Sequence, residues 1–129
     1  MISIDTNVII RFLTHDDERQ YKKAFTLFSS HEIFIPDTVI LETEWVLRYA
    51  YEFSPDQICT AFRNLLGLKN VHITNPTLIA QAVNWHEEGM DFADALHLSL
   101  SQKCSAFYTF DKKFISKSKG LTECAVTLP

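Results

Sequence analysis

Met1-Ile2-Ser3-Ile4-Asp5-Thr6-Asn7-Val8-Ile9-Ile10-Arg11-Phe12-Leu13 opens the chain. A short apolar run stops at the polar Asp5-Thr6-Asn7 and resumes as a second apolar stretch, which reads as a strand whose closing turn caps a helix. The pattern recurs downstream. Ile33-Phe34-Ile35 is a short buried strand ended by Pro36, with Asp37 placed to cap a helix through about Tyr51. Val71-His72-Ile73-Thr74 is strand-like, and Asn75-Pro76 caps a helix through Ile79, Ala82, Val83 and Trp85 that ends at Gly89. Asp91 begins a helix through about Gln102, and Ala106-Phe107-Tyr108-Thr109 is a strand ending at Phe110-Asp111. Strands alternating with helices predict an α/β fold with a short, mostly parallel central sheet flanked by helices.

Between these units, Asp16-Asp17-Glu18 opens a helical pattern carrying Tyr21, Ala24, Phe25 and Phe28, where negative charge suits a helix N-terminus. Ser54-Pro55-Asp56 starts another through Ile58, Ala61, Phe62, Leu65 and Leu66 to Gly67. Cys124-Ala125-Val126-Thr127 reads as an edge strand. With 129 residues and no repeat, low-complexity tract or linker, residues 1–129 are expected to form a single domain.

Composition narrows the chemistry. The apolar fraction is 47% and no window is long and uncharged enough to span a bilayer. Cys59, Cys104 and Cys124 show neither a C-x-x-C pair nor zinc-finger spacing, and with no signal peptide they are read as three small buried hydrophobes in a reducing cytoplasm. Only Gly67, Gly89 and Gly120 are glycines, so neither a dinucleotide fingerprint nor a phosphate-binding loop can be written. Most of the ten Phe, with Trp45 and Trp85, are expected in the core. Any surplus exposed near the early helices would serve a dimer or partner surface. Twelve Lys and Arg against sixteen Asp and Glu give −4, at first sight an unpromising balance for a phosphate binder.

The acids fall in a pattern. Ligands of open parallel sheets bind beyond the carboxyl ends of the strands; Asp5 and Asp111 sit at such ends, and Asp94 lies in the first turn of the Asp91 helix, so these acids are expected on one rim. Singly, each is explained as a helix cap or an Asx turn. Glu42 is harder to explain. On a helical wheel, Val39, Ile40, Thr43, Val46, Leu47 and Ala50 fall within an arc of about 120°, and Glu42 lies about 40° outside it with no Lys or Arg three or four positions away. Glu44, four before Arg48, is read as an ordinary surface pair. A carboxylate edged by Val46, Trp45 and Tyr49 is expected to need a cation or a proton. Carboxylates at about 4 Å repel by about 1 kcal/mol in water and about 4 at an effective dielectric of 20. An all-oxygen cluster of that kind selects hard ions, Mg²⁺ or Mn²⁺.

Four blocks, Ile4-Asp5-Thr6-Asn7-Val8, Glu42-Thr43-Glu44-Trp45-Val46-Leu47-Arg48, Asp91-Phe92-Ala93-Asp94-Ala95-Leu96-His97-Leu98 and Tyr108-Thr109-Phe110-Asp111-Lys112-Lys113-Phe114, together resemble the PIN-domain family, specifically the VapC-type toxins of bacterial toxin–antitoxin pairs. The blocks stand in the family's order and cover the chain end to end. The resemblance implies a three-layer PIN-like fold and an Mg²⁺-dependent endoribonuclease, with Mn²⁺ as a substitute ion. Its catalytic and metal-holding acids, carried over one at a time, are Asp5, Glu42, Asp94 and Asp111. Asp91 is a fifth carboxylate or only a cap, and Thr6, Asn7 and Thr109 are supporting candidates. It also implies an RNA substrate, often transfer RNA in the family, a homodimer, and a VapB-type antitoxin. The expected chemistry is in-line attack of a metal-activated water on a phosphodiester, leaving 5′-phosphate and 3′-hydroxyl ends.

Rival readings are a catalytically silent PIN-like binding or dimerisation module and a metal-dependent phosphatase or nuclease acting on another nucleic acid. A haloacid-dehalogenase-type phosphatase needs an acid two after Asp5, where Asn7 stands, and the acid pair and strand-borne Lys of a response-regulator receiver are absent. Without Asp5, Glu42, Asp94 and Asp111 the remaining charges are 12 positive and 12 negative, so the net charge equals that of the proposed site. Lys112, Lys113, Lys117 and Lys119 offer local phosphate attraction.

Overall fold

The computed structural model describes residues 1–129, with seven helices and five short strands. They form two compact units, residues 1–76 and 77–129. In unit 1, β1 (Ile2–Ser3), β2 (Ile33–Phe34) and β3 (Val71–His72) form a parallel sheet with β2 in the middle, Ile33 lying opposite both Ile2 and Val71. Two helices connect each pair of strands: α1 (Thr6–Thr14) and α2 (Glu18–Ser30), then α3 (Asp37–Ala50) and α4 (Pro55–Leu66). This register brings the carboxyl ends of the strands to the same edge of the sheet, so Asp5 and Asp37 follow neighbouring strands there.

Local chemistry explains the helix ends. Asp5 caps α1 and Asp17 caps α2, each through its carboxylate. Ser54 and Gln57 form a reciprocal capping box at α4, with Pro55 in the first turn. Asp37 departs from expectation. It is the first residue of α3, the cap position belongs to Pro36 without a side-chain bond, and its Oδ1 is buried with no hydrogen-bond partner. A residue already inside the helix cannot fold its carboxylate back onto the N–H groups that an Ncap side chain reaches.

The largest correction also concerns α3. Its buried residues are Ile40, Thr43, Glu44 and Leu47, whereas Ala50 is exposed and Val39 and Val46 are only half-buried. The inward face is therefore rotated by about 50° from the arc that the apolar residues describe. Glu44 is 1% exposed and is no surface residue; Arg48 pairs with it through two hydrogen bonds, of 2.9 and 3.2 Å. Arg48 contributes enough charge and donors to make the buried carboxylate tolerable.

α5 (Pro76–Glu87) begins at the last residue of unit 1 and otherwise lies in unit 2, where it and α6 (Phe92–Leu100) precede β4 (Ala106–Tyr108), α7 (Lys112–Ser118) and β5 (Ala125–Thr127). β4 and β5 pair in parallel as a separate two-stranded sheet, so the strand read at Cys124–Thr127 joins β4 alone. Helix α7 was not anticipated by periodicity, because Lys and Ser fill most of it; Asp111 caps it and Phe114 anchors it. At the α5–α6 turn Gly89 has φ +115°, a conformation that disfavours any side chain. There the buried His86 ring meets the Met90 carbonyl through Nδ1 at 2.7 Å. Cys59 and Cys124 are buried, but Cys104 is exposed and departs from the reading of three core thiols. Phe25 and Phe110 are the exposed phenylalanines, and Trp45 is exposed while Trp85 is buried. No helix is long and apolar enough to cross a membrane.

Candidate active site

In unit 1 the site is organised by Thr6. Its backbone N–H donates to Asp5 Oδ1 at 2.7 Å, and its hydroxyl, buried with the rest of the residue, donates to Glu42 Oε1. A single residue at the start of α1 thus engages a carboxylate from the β1 end and another from α3. Glu42 is exposed to solvent as well as bonded to Thr6, so the expected apolar edging of this carboxylate is corrected. Trp45 and Tyr49, tilted against each other at 5.1 Å, are also exposed and do not bury it. Asn7 is exposed and lines a cleft of about 260 Å³ with Val8, Arg11, Gln20, Lys23, Ala24 and Leu27.

In unit 2 the acids are Asp91, Asp94 and Asp111. Asp91 caps α6, its Oδ2 accepting the Asp94 N–H at 3.2 Å. Asp94 itself is half-buried. Burial, then the charges of Asp91 and Asp111, raise its carboxyl above the usual Asp value, with His97 opposing them. Asp111 Oδ1 accepts the N–H groups of Lys113 and Phe114 at 3.0 and 3.1 Å. The Asp111 N–H donates to the Thr109 hydroxyl at 3.0 Å, so Thr109 shapes the turn that carries the acid.

These donors are suited in kind to a hard divalent cation. They are carboxylates, with no thiolate beside them and His97 as the imidazole within electrostatic reach of Asp94, whose burial and acidic neighbours disfavour its charged form in a way that a cation relieves. No three His, Cys, Asp or Glu side chains are grouped so as to hold a metal ion. The structure joins Asp5 to Glu42 through Thr6 in one unit and couples Asp94 electrostatically to Asp91 and Asp111 in the other. Asp37 satisfies the same strand-end criterion as Asp5, and its buried Oδ1 has no hydrogen-bond partner. Asp37 follows the strand sequence Ile33-Phe34-Ile35 by two residues.

The PIN domain family model matches residues 2–120, and the chain belongs to the PIN-domain family. Among solved structures it is similar to VapC20 of Mycobacterium tuberculosis, a toxin that cleaves the sarcin–ricin loop. Identity is 24%, coverage is 97% of this chain and 99% of that one, and the TM-score is 0.45. A comparison with curated proteins finds no match.

Proposed function

We propose that this chain is a VapC-type toxin, an Mg²⁺-dependent endoribonuclease in which residues 1–129 act as a single PIN domain. Family membership frames the reading. The observation that carries it is the Thr6 contact, because isolated helix caps give no reason for a buried hydroxyl to bind Glu42 while the same residue engages Asp5. Asp5, Glu42, Asp94 and Asp111 would hold the ion, with Mn²⁺ as a substitute. When bound, such an ion polarises a phosphoryl oxygen and lowers the pKa of water. Thr6 orients Asp5 and Glu42, Asp91 sets the first turn of α6 beneath Asp94, and Thr109 fixes the Asp111 turn. Asn7, next to Thr6 on α1, is a supporting residue in this reading. RNA is the substrate in this reading, cytoplasmic and often transfer RNA, with a VapB-type antitoxin and a second copy of the chain as partners.

Sequencing RNA ends after brief expression, beside an Asp5→Asn control, tests the reading. Acid-dependent ends bearing 5′-phosphate and 3′-hydroxyl groups are expected, and 2′,3′-cyclic phosphates would sink the metal-water chemistry. The rival reading is a silent binding module of the same fold. Calorimetry with Mn²⁺ separates the two: the nuclease binds the ion and loses affinity on Asp5→Asn, whereas the module shows no difference.

A further inference from the structure

The β4–α7 turn of unit 2 turns its aromatic residues in opposite directions. Phe107 and the buried Phe114 pack together at 5.4 Å, while Tyr108 is 65% and Phe110 82% exposed. Phe110 projects from a backbone that is hydrogen-bonded on both sides. On its N-terminal side Thr109 N–H donates to the Thr127 carbonyl at 3.0 Å; on its C-terminal side Asp111 is bonded to the Thr109 hydroxyl and caps α7. This stretch of sequence is rich in lysine, although Asp111 also lies in electrostatic reach of Asp94. From Lys103 to Lys119 there are five Lys and one acid, Asp111, and Lys112 and Lys113 are exposed directly after Phe110 and Asp111. Flat apolar faces beside exposed ammonium groups complement a chain carrying phosphates and accessible bases. A duplex offers the phosphates but keeps its base faces stacked inside.

We infer that the Tyr108–Lys113 turn is a single-strand RNA platform, on which an unpaired base stacks on Phe110 while Lys112 and Lys113 hold the flanking phosphates, presenting the strand beside Asp111. The inference rests on the ribonuclease reading and restricts its substrate to unpaired RNA. The hydrogen-bonded backbone on both sides of Phe110 supports it, because the main chain that presents the ring needs little further ordering when a base covers it.

Fluorescence anisotropy with a labelled single-stranded oligouridylate, and with an RNA duplex of the same length, tests the platform. An Asp5→Asn background with Mg²⁺ present prevents turnover. Phe110→Leu is expected to weaken single-strand binding by about fivefold or more, while Phe110→Tyr stays within about twofold because it keeps the ring. The Lys112→Gln, Lys113→Gln double variant is expected to reduce the salt slope by about 1.4, two contacts at roughly 0.7 each. Duplex binding should not respond to Phe110→Leu. Unchanged single-strand affinity in Phe110→Leu overturns the platform, as does a wild type that binds no RNA but loses self-association on that substitution. RNA cleavage that needs Asp5 but not Phe110 leaves the ribonuclease reading standing without the platform. Binding that needs Phe110, with no acid-dependent cleavage, supports the platform and overturns the ribonuclease reading.

Discussion

Two carboxylates with opposite environments show how much a single residue's surroundings matter. Asp94 has its proton affinity raised by burial first and then by Asp91 and Asp111. The folded protein therefore holds that proton more tightly than the unfolded chain does. Its contribution to stability is present below the unfolded pKa and is lost as pH rises through the folded value. Asp94→Asn is accordingly expected to raise the melting temperature of the metal-free protein near neutral pH, with the gain shrinking below about pH 4. In the proposed enzyme the same substitution lowers RNA cleavage by about a hundredfold or more. A variant that is both less stable and inactive would remove the argument for stored electrostatic stress. Asp16 is the reverse case. The Tyr51 hydroxyl at 2.7 Å, then Thr14 at 2.9 Å, with Arg11 at 3.1 Å, lower its carboxyl below the usual Asp value. Its contribution is present above the unfolded pKa and fades as pH falls through the folded one, so Asp16→Asn should flatten the acid limb of a stability–pH curve.

At the level of the element, α3 is the instructive helix. Its buried Glu44 is held by Arg48, whose side chain is 34% exposed and also lies over the Tyr49 ring at 4.6 Å. Arg48→Met would leave a buried carboxylate without that partner. Discounting a fully buried pair for the exposure of Arg48, the expected loss is about 2 to 3 kcal/mol, read by urea unfolding. A loss below half a kcal/mol would show that Glu44 is satisfied without it. In α4 the capping box predicts that Ser54→Ala costs about 1 kcal/mol, while Ser54→Asp is near neutral. The sequence made that cap readable because Ser54, Pro55 and Gln57 lie within one turn. It misassigned Asp37, since an acid one position further into a helix has the same composition but a different reach.

For the whole molecule, thiol chemistry offers a direct check on packing. Cys104 is exposed, whereas Cys59 and Cys124 are 0% and 1% exposed, and burial raises the Cys124 thiol pKa. A thiol reagent should modify one cysteine quickly in the native protein and the other two only on unfolding. Two fast thiols would contradict the packing. The net charge of −4 also has a molecular reading: it matches the four proposed metal-holding acids, while five lysines are concentrated between residues 103 and 119. Phosphate attraction can then be local even though the total is negative.

What the amino-acid order determined by itself was most of what near neighbours and short motifs govern. The strand–helix alternation, most caps and the resemblance to the PIN family were all legible from it. Only the tertiary structure decided which side of α3 turns inward, that Thr6 touches Glu42, that β4 and β5 form a separate sheet, and that Asp94 lies under the charge of Asp111. The reason is physical. A cap or a helical period is set by residues within about one turn of each other, whereas burial, ion pairing and strand partnership depend on groups far apart in the chain. Glu44 shows the difference most clearly: its spacing to Arg48 marked the pair, but only packing revealed that the pair is buried.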